Sequence, residues 1–139
     1  MTAGPFVADA SLVFALAAHE LPGESAEDAG RQIAEAGAIA PRHWPLEMAN
    51  AFLMSLRRKR LTKAQVRAAA EAVGGFGITI DMSEVDAFGS LFELAERHRL
   101  TVYDAAYLEL ALRTGYALAS LDGELRAAAK KEGVALLPA

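Results

Sequence analysis

The sequence predicts an α/β fold with a parallel sheet covered on both faces, and three observations carry that expectation. Short apolar runs (Pro5–Ala8, Ala38–Pro41, Phe76–Ile80, Tyr116–Leu121 and Val134–Leu137) read as buried strands. The segments between them show helical periodicity, and strands alternating with helices at this spacing imply a parallel sheet. Stop and start signals fall at the joints: Gly37, Gly74-Gly75, Gly115 and Gly133 end helices, while Ser25–Asp28, Thr62–Gln65, Ser83–Asp86 and Thr101–Asp104 have capping-box spacing. No repeat, low-complexity tract or linker divides the chain, so residues 1–139 read as one domain.

In chain order, Pro5–Ala8 is the first strand, and Asp9 ends it. Leu12, Val13, Phe14, Leu16 and Ala17 form an apolar helix, and Leu21-Pro22-Gly23-Glu24 breaks it. A second helix runs from about Ala26 to Ala36. A third follows Pro45 to about Arg60, with Trp44, Met48 and Phe52 on one side and Leu46, Leu53 and Leu56 on another. Its apolar residues surround it almost completely, which predicts burial. Thr62 opens a fourth helix, and Ser83 with Asp86 opens a fifth that ends near His98. Asp104 begins a helix whose stripe continues through Tyr107, Leu108 and Ala111, and Asp122 follows the strand Tyr116–Leu121 to start the last helix, ending near Lys131.

Composition narrows the class. With 139 residues, 53% hydrophobic and 23% charged, the chain is long and apolar enough to bury a substantial core. Zero cysteines exclude disulfides, thiolate catalysis and Cys-type zinc sites. No apolar run approaches the roughly 18 residues that span a bilayer, so no membrane partner is expected. Ser11–Ala18 has the character of a signal-peptide core, but no Lys or Arg precedes it and Asp9 does, which favours a cytoplasmic protein. The net charge of −4 conceals a segregation: residues 42–67 hold seven basic residues (Arg42, Arg57, Arg58, Lys59, Arg60, Lys63 and Arg67) against Glu47 alone, so the remainder sums to −10. Such polarity suits contact with a polyanion on one side, although basic residues at a helix C-terminus also serve the helix dipole.

Four carboxylates concentrate the chemistry. Asp9 and Asp122 follow strands, where a parallel sheet exposes its ligand-binding edge, and Asp104 and Glu47 lie near helix starts reachable from that edge. Asp9, Asp104 and Asp122 also suit helix N-caps. Glu47, inside its helix on the line of Ala51 and Met54, has no such role, and burial there requires a partner, a proton or a metal. Asn50 lies on a neighbouring line and is placed to orient it. Carboxylates converging in one cleft repel unless cations neutralise them, and oxygen-only donors select Mg²⁺ or Mn²⁺. Ser11 and Ser120, two residues from Asp9 and Asp122, are placed to orient carboxylates or hold water. A receiver-like or phosphatase domain also places acids at strand ends, but no acidic pair follows the first strand and no Lys matches its strand-end position.

The segments Val7-Ala8-Asp9-Ala10-Ser11, Glu47-Met48-Ala49-Asn50, Thr101-Val102-Tyr103-Asp104-Ala105-Ala106-Tyr107 and Leu118-Ala119-Ser120-Leu121-Asp122 resemble PIN-domain ribonucleases, specifically VapC-type toxins of toxin–antitoxin pairs. The resemblance covers essentially the whole length. It implies a PIN-like three-layer α/β/α sandwich with a mainly parallel sheet. It implies Asp9, Glu47, Asp104 and Asp122 as the catalytic, metal-binding set, with Ser120 in support and Mg²⁺ or Mn²⁺ as cofactor. A homodimer, an RNA substrate cleaved endonucleolytically and a small inhibitory antitoxin are also implied, with RNA-backbone contacts expected among Arg42, Arg57, Arg58, Lys59, Arg60 and Lys63. The alternatives are a housekeeping RNA-processing nuclease and a non-catalytic protein-binding module in which the acids are only caps.

Overall fold

The computed structural model describes residues 4–20 and 23–139, apart from the side chain of Ala26. Five short strands, β1 (Phe6–Ala8), β2 (Ala38–Ala40), β3 (Ile78–Ile80), β4 (Ala117–Ala119) and β5 (Leu136–Leu137), form one sheet in the order β3-β2-β1-β4-β5. Every pairing is parallel; Phe6 lies opposite both Ala38 and Ala117, and Ala8 opposite Ala119. The central strand β1 is buried along its length, as its apolar, alternation-free sequence Phe-Val-Ala requires of a strand covered on both faces.

Seven helices among the described residues connect the strands: α1 (Ala10–Ala17), α2 (Gly23–Ala36), α3 (Trp44–Arg57), α4 (Lys63–Gly74), α5 (Ser90–His98), α6 (Val102–Thr114) and α7 (Gly123–Lys131). They pack as two groups, α1 with α3 and α4, and α6 with α5 and α7, while α6 also lies on β1 and β4. The core is drawn from both groups and the sheet; Leu12, Ile33, Tyr107, Leu108, Leu110, Leu118 and Leu125 are fully buried. None of these helices is long and apolar enough to cross a membrane.

The topology fixes where a ligand can sit. From β1 the chain steps outward to β2 and β3, then returns across the sheet to β4 and β5. The direction reverses between β1 and β4, and parallel α/β sheets bind ligands at the carboxyl edge of such a switch point. Asp9 leaves β1 there, and Ser120 and Asp122 follow β4.

Three expected elements differ. Helix α2 already includes Gly23 and Glu24, so Ser25 does not cap it; Asp28 lies inside it and engages Arg31 and Gln32. The rest of the expected break, Leu21 and Pro22, lies outside the described residues. Helix α5 begins at Ser90 rather than near Ser83, because the chain leaves β3 through an irregular stretch in which the Ser83 hydroxyl donates to Asp81. Asp86 instead accepts from the Ser90 N–H at 3.3 Å. Helix α3 is not buried all round. Phe52 packs on Phe14 of α1 with ring centroids 5.3 Å apart, and Trp44 and Met48 enter the core, but Leu46 and Leu53 face solvent.

Candidate active site

Asp9 occupies the N-cap position of α1, yet its carboxylate makes no cap hydrogen bond. Both the Ser11 and the Ser120 hydroxyls donate to its Oδ2, each at 2.7 Å. The same hydroxyl oxygens accept backbone N–H groups, Ser11 from Leu121 at 3.1 Å and Ser120 from Asp122 at 3.0 Å. Each serine therefore pins the turn after β1 to the turn after β4, and the Asp9 N–H completes the clasp on the Ala119 carbonyl at 2.9 Å. Asp9 is only 4% exposed, so burial pushes its carboxyl above the ordinary range; the two hydroxyls oppose this, and the charges of Glu47 and Asp104 add to it. Ser120, expected beside the Asp122 carboxylate, serves Asp9 from across the sheet.

Asp104 stands in the first turn of α6, where its N–H donates to the Thr101 hydroxyl at 3.1 Å. That hydrogen bond caps the helix and leaves the Asp104 carboxylate half-buried. Burial and then the charge of Asp122 raise its pKa; the Thr101 hydroxyl pulls the other way, Glu47 adds to the rise, and His43 opposes it. Asp122 is a true side-chain cap: its Oδ1 accepts from the Leu125 N–H at 3.0 Å.

Glu47 lies in the first turn of α3 and is half-buried rather than enclosed. The Tyr107 hydroxyl donates to its Oε1 at 2.6 Å, and His43 Nε2 approaches the same oxygen at 2.8 Å without the alignment of a hydrogen bond. Burial pushes the Glu47 carboxyl up, but His43 and Tyr107 outweigh it and hold the carboxyl below its usual value. Asn50 is exposed and makes no hydrogen bond to Glu47, although three residues along a helix is a spacing that could bring the two together. Sequence reasoning missed Tyr107 and His43. His43 stands four residues before Glu47, the spacing that joins side chains on one helix face, whereas Tyr107 looks like one more residue of an apolar stripe.

Asp9, Glu47 and Asp104 thus feel one another's charge, and Asp104 feels that of Asp122. Among the described residues, no three acids or histidines are gathered closely enough to form a ready-made metal cage. The donor chemistry nevertheless suits a hard divalent cation. The donors are carboxylate oxygens, their mutual repulsion is only partly relieved by hydroxyls and His43, and Mg²⁺ commonly keeps several waters while taking only one or two carboxylates. The expected basic set is dispersed: Arg42 donates to the Met82 carbonyl at 2.7 Å near the site, whereas Arg57 to Arg60 lie at the far end of α3.

A parallel sheet with helices packed in two groups and acids at its switch point defines a doubly wound α/β protein with a carboxylate-lined site. No family model matches the chain. It is 33% identical over 120 residues to Ribonuclease VapC3 of Pyrobaculum aerophilum, an alignment covering 86% of this chain and 90% of that protein. The crystal structure of PAE2754, also from Pyrobaculum aerophilum, matches with a TM-score of 0.72 at 26% identity, over 97% of this chain and 85% of that one. The chain belongs to the VapC ribonuclease family, and its fold is the PIN-like sandwich.

Proposed function

We propose that the protein is a metal-dependent endoribonuclease, the toxin of a toxin–antitoxin pair, acting in the cytoplasm. The observation that carries this reading is the buried Asp9 carboxylate, held by Ser11 and Ser120 at the switch point within the fields of Glu47 and Asp104. A fold needs no such concentration of like charge for its own stability. The kinship with a protein named Ribonuclease VapC3 supplies the reaction class.

A bound Mg²⁺ or Mn²⁺ would neutralise the carboxylates, hold the scissile phosphate and make a bound water more acidic. Asp9, Asp104 and Glu47 would hold the ion, one or two of them directly and the rest through its waters, with Asp122 beside Asp104. Ser11 and Ser120 fix the Asp9 oxygen, and Tyr107 fixes one oxygen of Glu47. Arg42, Arg57, Arg58, Lys59, Arg60 and Lys63 supply cations for the RNA backbone, whose screening by salt makes binding weaken as ionic strength rises. A small antitoxin and a second copy of the chain complete the set of partners.

The test is cleavage of single-stranded RNA by the wild-type protein and by Asp9→Asn and Asp104→Asn. We expect both variants to lose cleavage with unchanged circular dichroism, and excess EDTA to silence the wild type. Full activity in either variant or in EDTA would overturn the reading. If the acids were only caps, calorimetry would find no saturable Mn²⁺ binding that depends on Glu47.

A further inference from the structure

An exposed aromatic ring stands beside the carboxylate site: Tyr103, the residue before Asp104, is 65% exposed. Tyr103 is braced from behind, since its ring lies 5.4 Å from that of His43, which contacts Tyr107 at 5.3 Å and Glu47 at 2.8 Å. A ring held on a cluster that also holds a candidate metal ligand has a fixed position relative to the acids.

A cavity of about 400 Å³ opens beside it, with Tyr103 and His43 in one wall and Val102, Ala106 and Leu110 among its apolar lining. Its volume falls in the range of small-molecule sites, which run from roughly 300 to 1,000 Å³. The charges here are largely committed to one another. Arg113 bridges Asp81 at 2.7 Å and Glu109 at 2.8 Å, and Arg42 is tied to the Met82 carbonyl. With the remaining acid Glu84, the lining is near-neutral and does not favour a phosphate. It favours an uncharged planar group with polar edges.

We infer that Tyr103 and this cavity form a nucleobase subsite, in which a base next to the scissile phosphate unstacks from the RNA and stacks on the Tyr103 ring. The inference rests on the ribonuclease reading above. Single-stranded RNA is recognised in this manner, its splayed bases stacking on aromatic side chains. The phosphate of that nucleotide then lies toward the acids, on the Glu47 side of His43, while its base lies toward the cavity. The site thereby selects unpaired over duplex RNA, because a paired base is not free to leave its stack.

The test uses the catalytically silent Asp9→Asn protein and a fluorescent single-stranded RNA, with binding read by anisotropy, in parallel with cleavage by the otherwise wild-type protein. Tyr103→Ala should weaken binding and lower kcat/KM about 5- to 150-fold, the range for loss of one base–aromatic stack. Tyr103→Phe should restore both. An abasic nucleotide beside the cleavage site should cost the Tyr103 protein the same factor and leave Tyr103→Ala indifferent. If Tyr103→Ala binds and cleaves as well as the Tyr103 protein, or is equally sensitive to the abasic site, the subsite does not exist. If the Tyr103 protein neither binds nor cleaves RNA, it is the ribonuclease reading itself that has failed.

Discussion

Asp9 sits where the fold resists its charge. Burial raises its pKa, and nearby carboxylates raise it further, so the ionised form is disfavoured in the folded protein relative to the unfolded chain, where the ordinary value of 3.8 applies. A group with a raised folded pKa contributes stability that is complete below its unfolded pKa and is lost as pH climbs through the folded pKa. In EDTA at pH 7, Asp9→Asn should therefore be more stable to urea than the wild type by about 1 kcal/mol, the usual scale for relieving strain at a functional site. That advantage should disappear as the pH falls below 3.8. A less stable Asp9→Asn at pH 7 would show that the two serine hydroxyls already compensate the charge. Tyr107 works in the opposite direction, holding Glu47 ionised and oriented. Tyr107→Phe keeps the buried ring, so its cost in stability should be near 1 kcal/mol, while Mn²⁺ affinity measured by calorimetry should fall 10- to 100-fold, as when an oriented ligand loses its support. The drop should vanish in a Glu47→Gln background; its persistence there would mean that Tyr107 acts elsewhere. The residues themselves made the acids readable in the sequence. The hydroxyl of Tyr107 was not readable, because only the crossing of α6 and α3, which start 58 residues apart, brings it to Glu47.

Helix α6 carries Asp104 and Tyr107 on adjacent turns, and its ends set their position. Thr101 closes its first turn, and Gly115, in the left-handed region at φ 78°, lets the chain turn into β4, a conformation that is strained for most other residues. Thr101→Ala should destabilise the protein by about 1 kcal/mol, the typical loss of a cap, and should lower the RNA cleavage rate because Asp104 loses its fixed backbone; Thr101→Ser should recover most of both. Urea denaturation and initial rates check the two effects separately, and an unchanged rate beside reduced stability would make Thr101 purely structural. Caps such as Thr62 and Thr101 were legible because the pattern and the helix start coincide locally, and Thr62 with Gln65 forms the full reciprocal box. The same spacing misled at Ser25–Asp28, which lies within a helix, and at Ser83–Asp86, where the path from β3 to α5 delays the helix. Local sequence sets what a cap can do, and tertiary packing sets where the helix begins. For α3 the apolar content was read correctly, but its meaning was not: part of that surface is uncovered in the isolated chain.

Across the whole molecule, charge is segregated along α3 itself. Glu47 lies in its first turn and Arg57 ten residues on, about 15 Å along the axis at 1.5 Å per residue. Arg60 is paired with Glu20 at 2.6 Å, whereas Arg57, Arg58 and Lys59 have no acidic partner among the described residues. The acidic remainder of the protein repels a polyanion, so under the proposed function these three cations would supply a local attractive field at a distance from the acids, suited to holding RNA some nucleotides away from the cleaved bond. The triple replacement Arg57→Ala, Arg58→Ala, Lys59→Ala should weaken binding of single-stranded RNA at low salt. It should also flatten the dependence of log affinity on log salt concentration by about 2, near 0.7 for each lost phosphate contact. At saturating RNA the cleavage rate should hold, because no residue around Asp9 is altered. An unchanged salt slope would mean that these cations serve only the C-terminal end of α3, and a lower rate at saturation would place the RNA path through them and into the site itself.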